Sequence, residues 1–129
     1  MLKIGLATIT AFVIASQAAS ADPKFERTLL RLAPSERLEQ LCAYATMVNV
    51  RKDARKFRPD RAVANAVAQA TTQGNTLKTT GGAFRSQGKW YAISFTCTAT
   101  PDRLKVVSFD YKVGAEIPSA KWAGYGLWN

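Results

Sequence analysis

The sequence predicts a small α+β domain in which an N-terminal helix or helix pair packs on a three- to four-stranded antiparallel meander, with one helix-to-strand disulfide. Three observations lead to this prediction. Apolar residues recur at helical spacing in residues 38–48. They alternate with a period of two in residues 88–99 and 104–113. The helical segment 38–48 and the strand segment 88–99 each contain one cysteine. Each apolar face needs a partner layer, and helix and sheet can supply it to one another.

The first 21 residues have the layout of a secretory signal peptide. Lys3 follows the first two residues, residues 4–14 are apolar apart from two threonines, and residues 19–21 read Ala-Ser-Ala. This layout predicts cleavage after Ala21, and the apolar run is too short to span a membrane. We therefore expect residues 22–129 to form a single periplasmic or secreted domain with no transmembrane span.

Two helices are predicted ahead of the strands. Asp22 and Pro23 begin a short helix that ends before Pro34, because the residue preceding a proline avoids helical angles. Pro34 begins a second helix, and Pro59 ends the helical region. The buried stripe of this second helix is predicted to contain Leu38, Leu41, Cys42, Ala45 and Val48.

The strands follow. Residues 62–71 fit a helix by alanine content and a strand by alternation, and we favour the strand. Residues 76–85 form a strand that Gly81 and Gly82 interrupt, and paired glycines at such a position indicate a bulge or a close backbone contact. A hairpin turn then leads into strand 88–99. A turn at residues 100–103 precedes a strand that Gly114 ends, and Ser119 caps one helical turn in the tail. One face of that last strand is predicted to carry Val107, Phe109, Tyr111 and Val113.

Cys42 and Cys97 are the only cysteines, and they stand 55 positions apart. In an exported protein an even number of cysteines favours a disulfide. Closing such a loop stabilises the fold by about 4 kcal/mol in the chain-entropy model. The alternative is a pair of free thiols in a redox or metal site, but the sequence has neither a CxxC spacing nor any histidine.

Positive charge is the clearest functional feature. Of 18 basic residues only Lys3 precedes the predicted cleavage point, so the remaining chain has 17 against 9 acidic residues and a net charge of +8. The densest run contains Arg51, Lys52, Arg55, Lys56, Arg58 and Arg61, opposed by Asp53 and Asp60. This run is either a solvated helix end or an anion-binding surface. Because export separates the protein from nucleic acid, the expected partners are an anionic envelope lipid, lipopolysaccharide, a wall polymer or an envelope protein.

Two tryptophans form a second candidate surface. Trp90 alternates with Tyr91 and so lies on the other face of its strand, and Trp128 lies in the aromatic tail. Packing in the core is the ordinary role of such residues. If the two tryptophans are exposed together, they form an aromatic contact with Arg85 and Lys89 at its rim.

Three stretches of the chain resemble a known family. They are residues 32–34 with 37–40 and Cys42, residues 81–86 with 88–91 and 94–97, and residues 108–111 with Ile117, Pro118 and Trp122. Together they resemble the exported alphaproteobacterial family catalogued as domain of unknown function 930. The resemblance implies an exported domain with a paired cysteine. It implies no activity and no catalytic residues.

The residue inventory gives little support for an enzyme. Without histidine the chain lacks the usual general base near neutral pH, and no cofactor motif, metal site or catalytic motif is recognisable. A serine–lysine dyad stays open, although no spacing singles out one serine. The main alternative is a small cell-wall-active hydrolase using two carboxylates, with Asp110 and Glu116 as the nearest candidates. The sequence favours a non-enzymatic accessory or binding module in the periplasm.

Overall fold

The computed structural model describes residues 22–129. The predicted signal peptide, residues 1–21, lies outside the described residues. The predicted α+β class is confirmed, since helices cover one face of an antiparallel sheet. The elements are α1 (Pro23–Leu30), α2 (Pro34–Asp53), β1 (Pro59–Val63), β2 (Thr71–Gln73), β3 (Thr76–Ser86), β4 (Lys89–Ala99), β5 (Val106–Glu116) and α3 (Ser119–Trp122), followed by a 3-10 turn at Ala123–Tyr125.

Both N-terminal helices begin at the predicted residues. The carboxylate of Asp22 accepts a hydrogen bond from the backbone N–H of Phe25 at 3.0 Å, which satisfies one free amide at the start of α1. The predicted stripe of α2 is buried except at Val48, which is 42% exposed. As α2 proceeds, the buried stripe turns towards Thr46 and Val50, so the flank with Val48 faces solvent. Thr46 tolerates burial because its hydroxyl donates to the carbonyl of Cys42 at 2.9 Å.

The strands are antiparallel and lie in the order β1-β3-β4-β5, with β2 pairing with the other half of β3. The strand prediction for residues 62–71 is correct only at the two ends of that segment. β1 stops at Val63, β2 begins at Thr71, and residues 64–70 are irregular. The side-chain oxygen of Asn65 accepts from the N–H of Ala70 at 2.5 Å and closes this segment into a loop.

Gly81 explains where β1 and β2 separate. The register of β3 against β4 shifts between Thr79 and Gly82, so the predicted bulge is confirmed. The carbonyl of Gly81 accepts hydrogen bonds from the N–H groups of Ala66 and Val67 at 3.0 and 2.8 Å. A Cβ atom at this glycine would overlap the backbone of Ala68, so the loop can approach β3 this closely only because residue 81 has no side chain.

The disulfide between Cys42 and Cys97 joins α2 to β4, as predicted, with the two Cα atoms 6.0 Å apart. Both residues are fully buried in the main core. The period-two pattern of β4 is also confirmed. Ile93, Phe95 and Cys97 are buried in the core beneath the helices, and Trp90 is buried in a second cluster on the opposite face.

β5 departs from its prediction at both ends. Val107 is 60% exposed, although Phe109, Tyr111 and Val113 pack against the core as expected. A register shift places Val106 opposite Ala99, so Val106 occupies the core position predicted for its neighbour. The strand does not end at residue 114, because a second shift near that glycine lets the ladder continue to Glu116.

Residues 117–129 pack on the second face of the sheet. Ile117 and Leu127 form a buried cluster with Ala83 and Trp90. The indole N–H of Trp90 donates to the main-chain carbonyl of Trp128 at 2.8 Å, which holds the end of the chain against β4. The predicted helical turn forms, but the predicted cap is wrong, since Pro118 occupies the N-cap position and no side chain caps the turn.

Two arginines join the helices to the loops at one end of the sheet. The guanidinium of Arg37 donates to the carbonyls of Leu29, Leu32 and Asp102 at 3.0, 3.2 and 3.0 Å. The guanidinium of Arg103 donates to oxygens of Pro34, Gly74 and Asn75 at 2.7, 2.9 and 3.1 Å. Through these bonds the two guanidinium groups tie the end of α1 and the start of α2 to the loops at residues 74–75 and 102.

Candidate functional site

The basic segment, residues 51–61, runs from the last turn of α2 through the connecting loop into β1. The helix ends here because Ala54 leaves helical angles, and Pro59 then begins the strand. Phe57 anchors the loop, since it is buried and packs edge-on against the rings of Phe84 and Tyr91. All six predicted cations of the segment are exposed to solvent, namely Arg51, Lys52, Arg55, Lys56, Arg58 and Arg61.

The two carboxylates of the basic segment are engaged elsewhere. Asp60 accepts two hydrogen bonds from the guanidinium of Arg85, at 2.8 and 3.0 Å. Asp53 accepts the phenolic O–H of Tyr111 at 2.7 Å. Within residues 22–129 the ion pairs are Arg85–Asp60 and Lys89–Glu116, so none of the six cations has a carboxylate at ion-pair distance. Among the described residues the segment therefore has a net charge of +4, and none of its six cations is held in an ion pair.

The hydrogen bonds at these two acids affect the pKa values of Asp60 and Tyr111. The hydrogen bonds from Arg85 lower the pKa of Asp60 below its ordinary value, so the carboxylate stays ionised and paired. Desolvation, with the hydrogen bond to Asp53 as a second cause, raises the pKa of Tyr111 to about 12. At neutral pH the phenol therefore keeps its proton and acts as a hydrogen-bond donor that holds the Asp53 carboxylate against Tyr111 of β5.

Stability is expected to fall as the pH rises from about 10 to about 12. The folded pKa of Tyr111 is about 12, whereas an unfolded tyrosine titrates near 10, so in this window the folded state binds a proton that the unfolded state has lost. Urea unfolding across this range should show a smaller alkaline loss in Tyr111→Phe than in the unsubstituted protein. If the stabilities of Tyr111→Phe and the unsubstituted protein fell in parallel between about pH 10 and 12, the raised pKa of Tyr111 would be contradicted.

The second candidate surface, in which Trp90 and Trp128 are exposed together with Arg85 and Lys89 at the rim, does not form. Trp90 is fully buried beneath the C-terminal segment, so the predicted exposed contact between Trp90 and Trp128 is wrong. The two rings pack edge-on with centroids 5.4 Å apart, and only Trp128 remains accessible, at 46% exposure. The rim cations are also engaged, Arg85 with Asp60 and Lys89 with Glu116 at 3.7 Å. The face is occupied because residues 117–129 fold back onto it.

A family model for a domain of unknown function, DUF930, matches residues 29–127. The chain belongs to this family. No curated protein and no solved structure matches it. The DUF930 match includes the whole sheet, both cysteines and the complete basic segment.

The carboxylates considered for hydrolysis do not form a pair in this DUF930 domain. Asp110 lies opposite Thr96 on the open face of the sheet, whereas Glu116 lies opposite Tyr91, which faces the helices. Residues opposite each other in an antiparallel pair point to the same side. The two carboxylates therefore point to different faces, and six residues of strand put them roughly 20 Å apart. A glycosidase pair needs both groups on one substrate, about 5–9.5 Å apart.

Two residues that define the site in the DUF930 domain were not found by sequence reasoning. The sequence pattern indicates Arg85 only as a rim cation and Tyr111 only as a core residue. They form hydrogen bonds with Asp60 and Asp53 of the basic segment, from which they are separated by 25 and 58 positions of sequence respectively. No local spacing could have shown these contacts, because they depend on the pairing of β1 with β3 and on the docking of α2 near β5.

Among residues 22–129 there is no group of three or more cysteine and acidic side chains that could hold a metal ion. No helix in that range is long and apolar enough to cross a membrane. A shallow cavity of about 440 Å³ lies between α1 and α2 and is lined in part by Phe25, Leu29 and Leu32.

Proposed function

We propose that this DUF930 domain is an exported, non-enzymatic binding module whose basic segment binds phosphate-bearing anions of a bacterial envelope. The observation that carries this proposal is the set of six exposed cations in residues 51–61, whose neighbouring carboxylates are engaged with Arg85 and Tyr111. Anionic lipid headgroups and lipopolysaccharide share the phosphate chemistry. Arginine suits it because its planar fork can donate two parallel hydrogen bonds to phosphate oxygens.

The distribution of charge supports a localised surface. The basic segment has six basic and two acidic residues, a net of +4 within 11 positions, and the rest of residues 22–129 contributes the other half of the +8. A concentrated field of this kind attracts polyanions and weakens with salt, because the screening length is only about 10 Å at 0.1 M ionic strength. We therefore expect binding that is strong at low salt and falls as salt rises.

The disulfide supports an extracytoplasmic location. Cys42 and Cys97 are paired inside the core, and structural disulfides persist mainly in oxidising compartments. Together with the signal-peptide layout of residues 1–21, this pairing supports export. In such a compartment the plentiful anions are lipid phosphates, lipopolysaccharide and wall polymers.

Reversing the charge of Arg55, Lys56 and Arg58 together to glutamate is expected to weaken binding at least about a hundredfold. A basic side chain near an anionic surface contributes about 1 kcal/mol, and three are removed. The measurement is co-flotation of the purified protein with phosphatidylglycerol-containing vesicles, and co-sedimentation with lipopolysaccharide, at low and moderate salt. Vesicles of phosphatidylcholine alone give the background.

The matched control reverses Lys78, Lys105 and Lys121, which are exposed and lie outside the basic segment. This variant has the same net charge, so it should retain most of the binding if residues 51–61 are the site. Equal losses in the two triple variants would overturn the assignment to the basic segment. Binding to one phosphate carrier and not the other would identify the source. Binding to neither at low salt would overturn the phosphate assignment, and cross-linking in cells would then test for a protein partner.

A further inference from the structure

β5 forms a free edge of the sheet. The strand order ends at β5, and within residues 22–129 its backbone hydrogen bonds run only to β4. Its register with β4 is unbroken from Ser108 to Val113, and a bulge lies at each end of that stretch. A regular edge of this kind presents unpaired N–H and C=O groups that can pair with another strand. The bulges confine any such pairing to the middle of β5.

The middle of β5 is complementary to itself. Residues 109–113 read Phe-Asp-Tyr-Lys-Val, with an acid and a base placed symmetrically about Tyr111. Asp110 and Lys112 are both exposed, and neither makes an ion pair within the described residues. We propose that two copies of this chain associate through β5 as an antiparallel pair centred on Tyr111. This inference is independent of the proposed anion binding.

Charge selects this register over its neighbours. With Tyr111 opposite its counterpart, Asp110 of each copy lies opposite Lys112 of the other, and both pairs fall on the open polar face of the joined sheet. Sliding one strand by two residues places either Asp110 opposite Asp110 or Lys112 opposite Lys112. Sliding it by one residue places the helices of the two copies on opposite faces. Only the centred register joins opposite charges and keeps the helical layers together.

The apolar side of β5 fits the same register. Phe109 and Val113 are half-buried against the core. In the centred register Phe109 of each copy would lie opposite Val113 of the other copy. Cross-strand apolar pairs of this kind stabilise antiparallel strands.

A charge exchange tests the association. Asp110→Lys and Lys112→Asp, made separately, each place like charges opposite one another and should raise the dimer dissociation constant about tenfold or more. The double variant D110K/K112D exchanges the two charges and should restore dimers. Sedimentation equilibrium of the purified protein gives the constant. Lys121→Asp, on the exposed α3 outside the sheet, is the matched control and should leave the dissociation constant unchanged.

Each outcome supports or overturns the proposal. A protein that sediments as a monomer up to the highest attainable concentration would overturn it, as would a double variant no tighter than the two single ones. The register is tested separately by mixing D110C with K112C under oxidising conditions. Rapid cross-linking of the mixture supports the centred register. Faster cross-linking of either variant alone would show a slid register and overturn the pairing proposed here.

Discussion

Replacing Cys42 and Cys97 together with alanine is expected to lower the free energy of unfolding by about 4 kcal/mol. The bond closes a separation of 55 residues, and in the chain-entropy model its loss returns that freedom to the unfolded chain. The domain has only 108 described residues, and a core of this size is modest. Urea unfolding of the oxidised protein and of the double variant gives the difference directly.

Reduction of the unsubstituted protein is the matched control for this prediction. It breaks the bond without removing side-chain atoms, so it should account for most of the loss in the double variant. A reduced protein as stable as the oxidised one, within about 1 kcal/mol, would contradict the role given to the bond. It would also show that packing alone holds α2 against β4.

Trp90→Ala is expected to cost about 3–5 kcal/mol, the usual range for removing a fully buried large aromatic side chain. The loss has two causes, because the indole fills the second cluster and its N–H holds the main-chain carbonyl of Trp128. We therefore also expect residues 117–129 to detach before the rest of the domain unfolds. Urea unfolding measures the cost, and hydrogen exchange of the C-terminal amides measures the detachment.

Trp128→Ala provides the comparison for Trp90→Ala. Trp128 is 46% exposed. The indole N–H of Trp90 donates to the main-chain carbonyl of Trp128, which the substitution keeps. The expected cost is only about 1 kcal/mol. Equal costs for the two variants would mean that the C-terminal segment is held by contact between the rings and not by burial of Trp90.

The parts of the fold that follow from local pattern were predictable from the sequence. α2 and β4 have sustained periodicity, and the disulfide follows from placing Cys42 and Cys97 on apolar faces that turn towards each other. The irregular path of residues 64–70 was not predictable, because it depends on hydrogen bonds to Gly81 on a distant strand. Val107 was misplaced for a related reason, since one bulged residue reverses the expected alternation.

In the candidate site, too, the local features were predictable from the sequence and the tertiary contacts were not. The cations of residues 51–61 are a local feature, and they are exposed as a charged run is expected to be. The engagement of Asp53 and Asp60 is a tertiary feature, fixed by Tyr111 and Arg85. Trp90 illustrates the opposite error, because alternation placed it correctly on the second face but could not show that the chain returns to cover that face.

The most direct test of anion binding by the basic segment is a residue-level map of where a phosphate-bearing amphiphile contacts the domain. The measurement is the change in backbone amide chemical shifts as phosphatidylglycerol in a small bicelle is added at low salt. We expect changes concentrated in the basic segment, residues 51–61, that disappear when salt is raised. Changes centred elsewhere, or none under these conditions, would contradict anion binding by this segment.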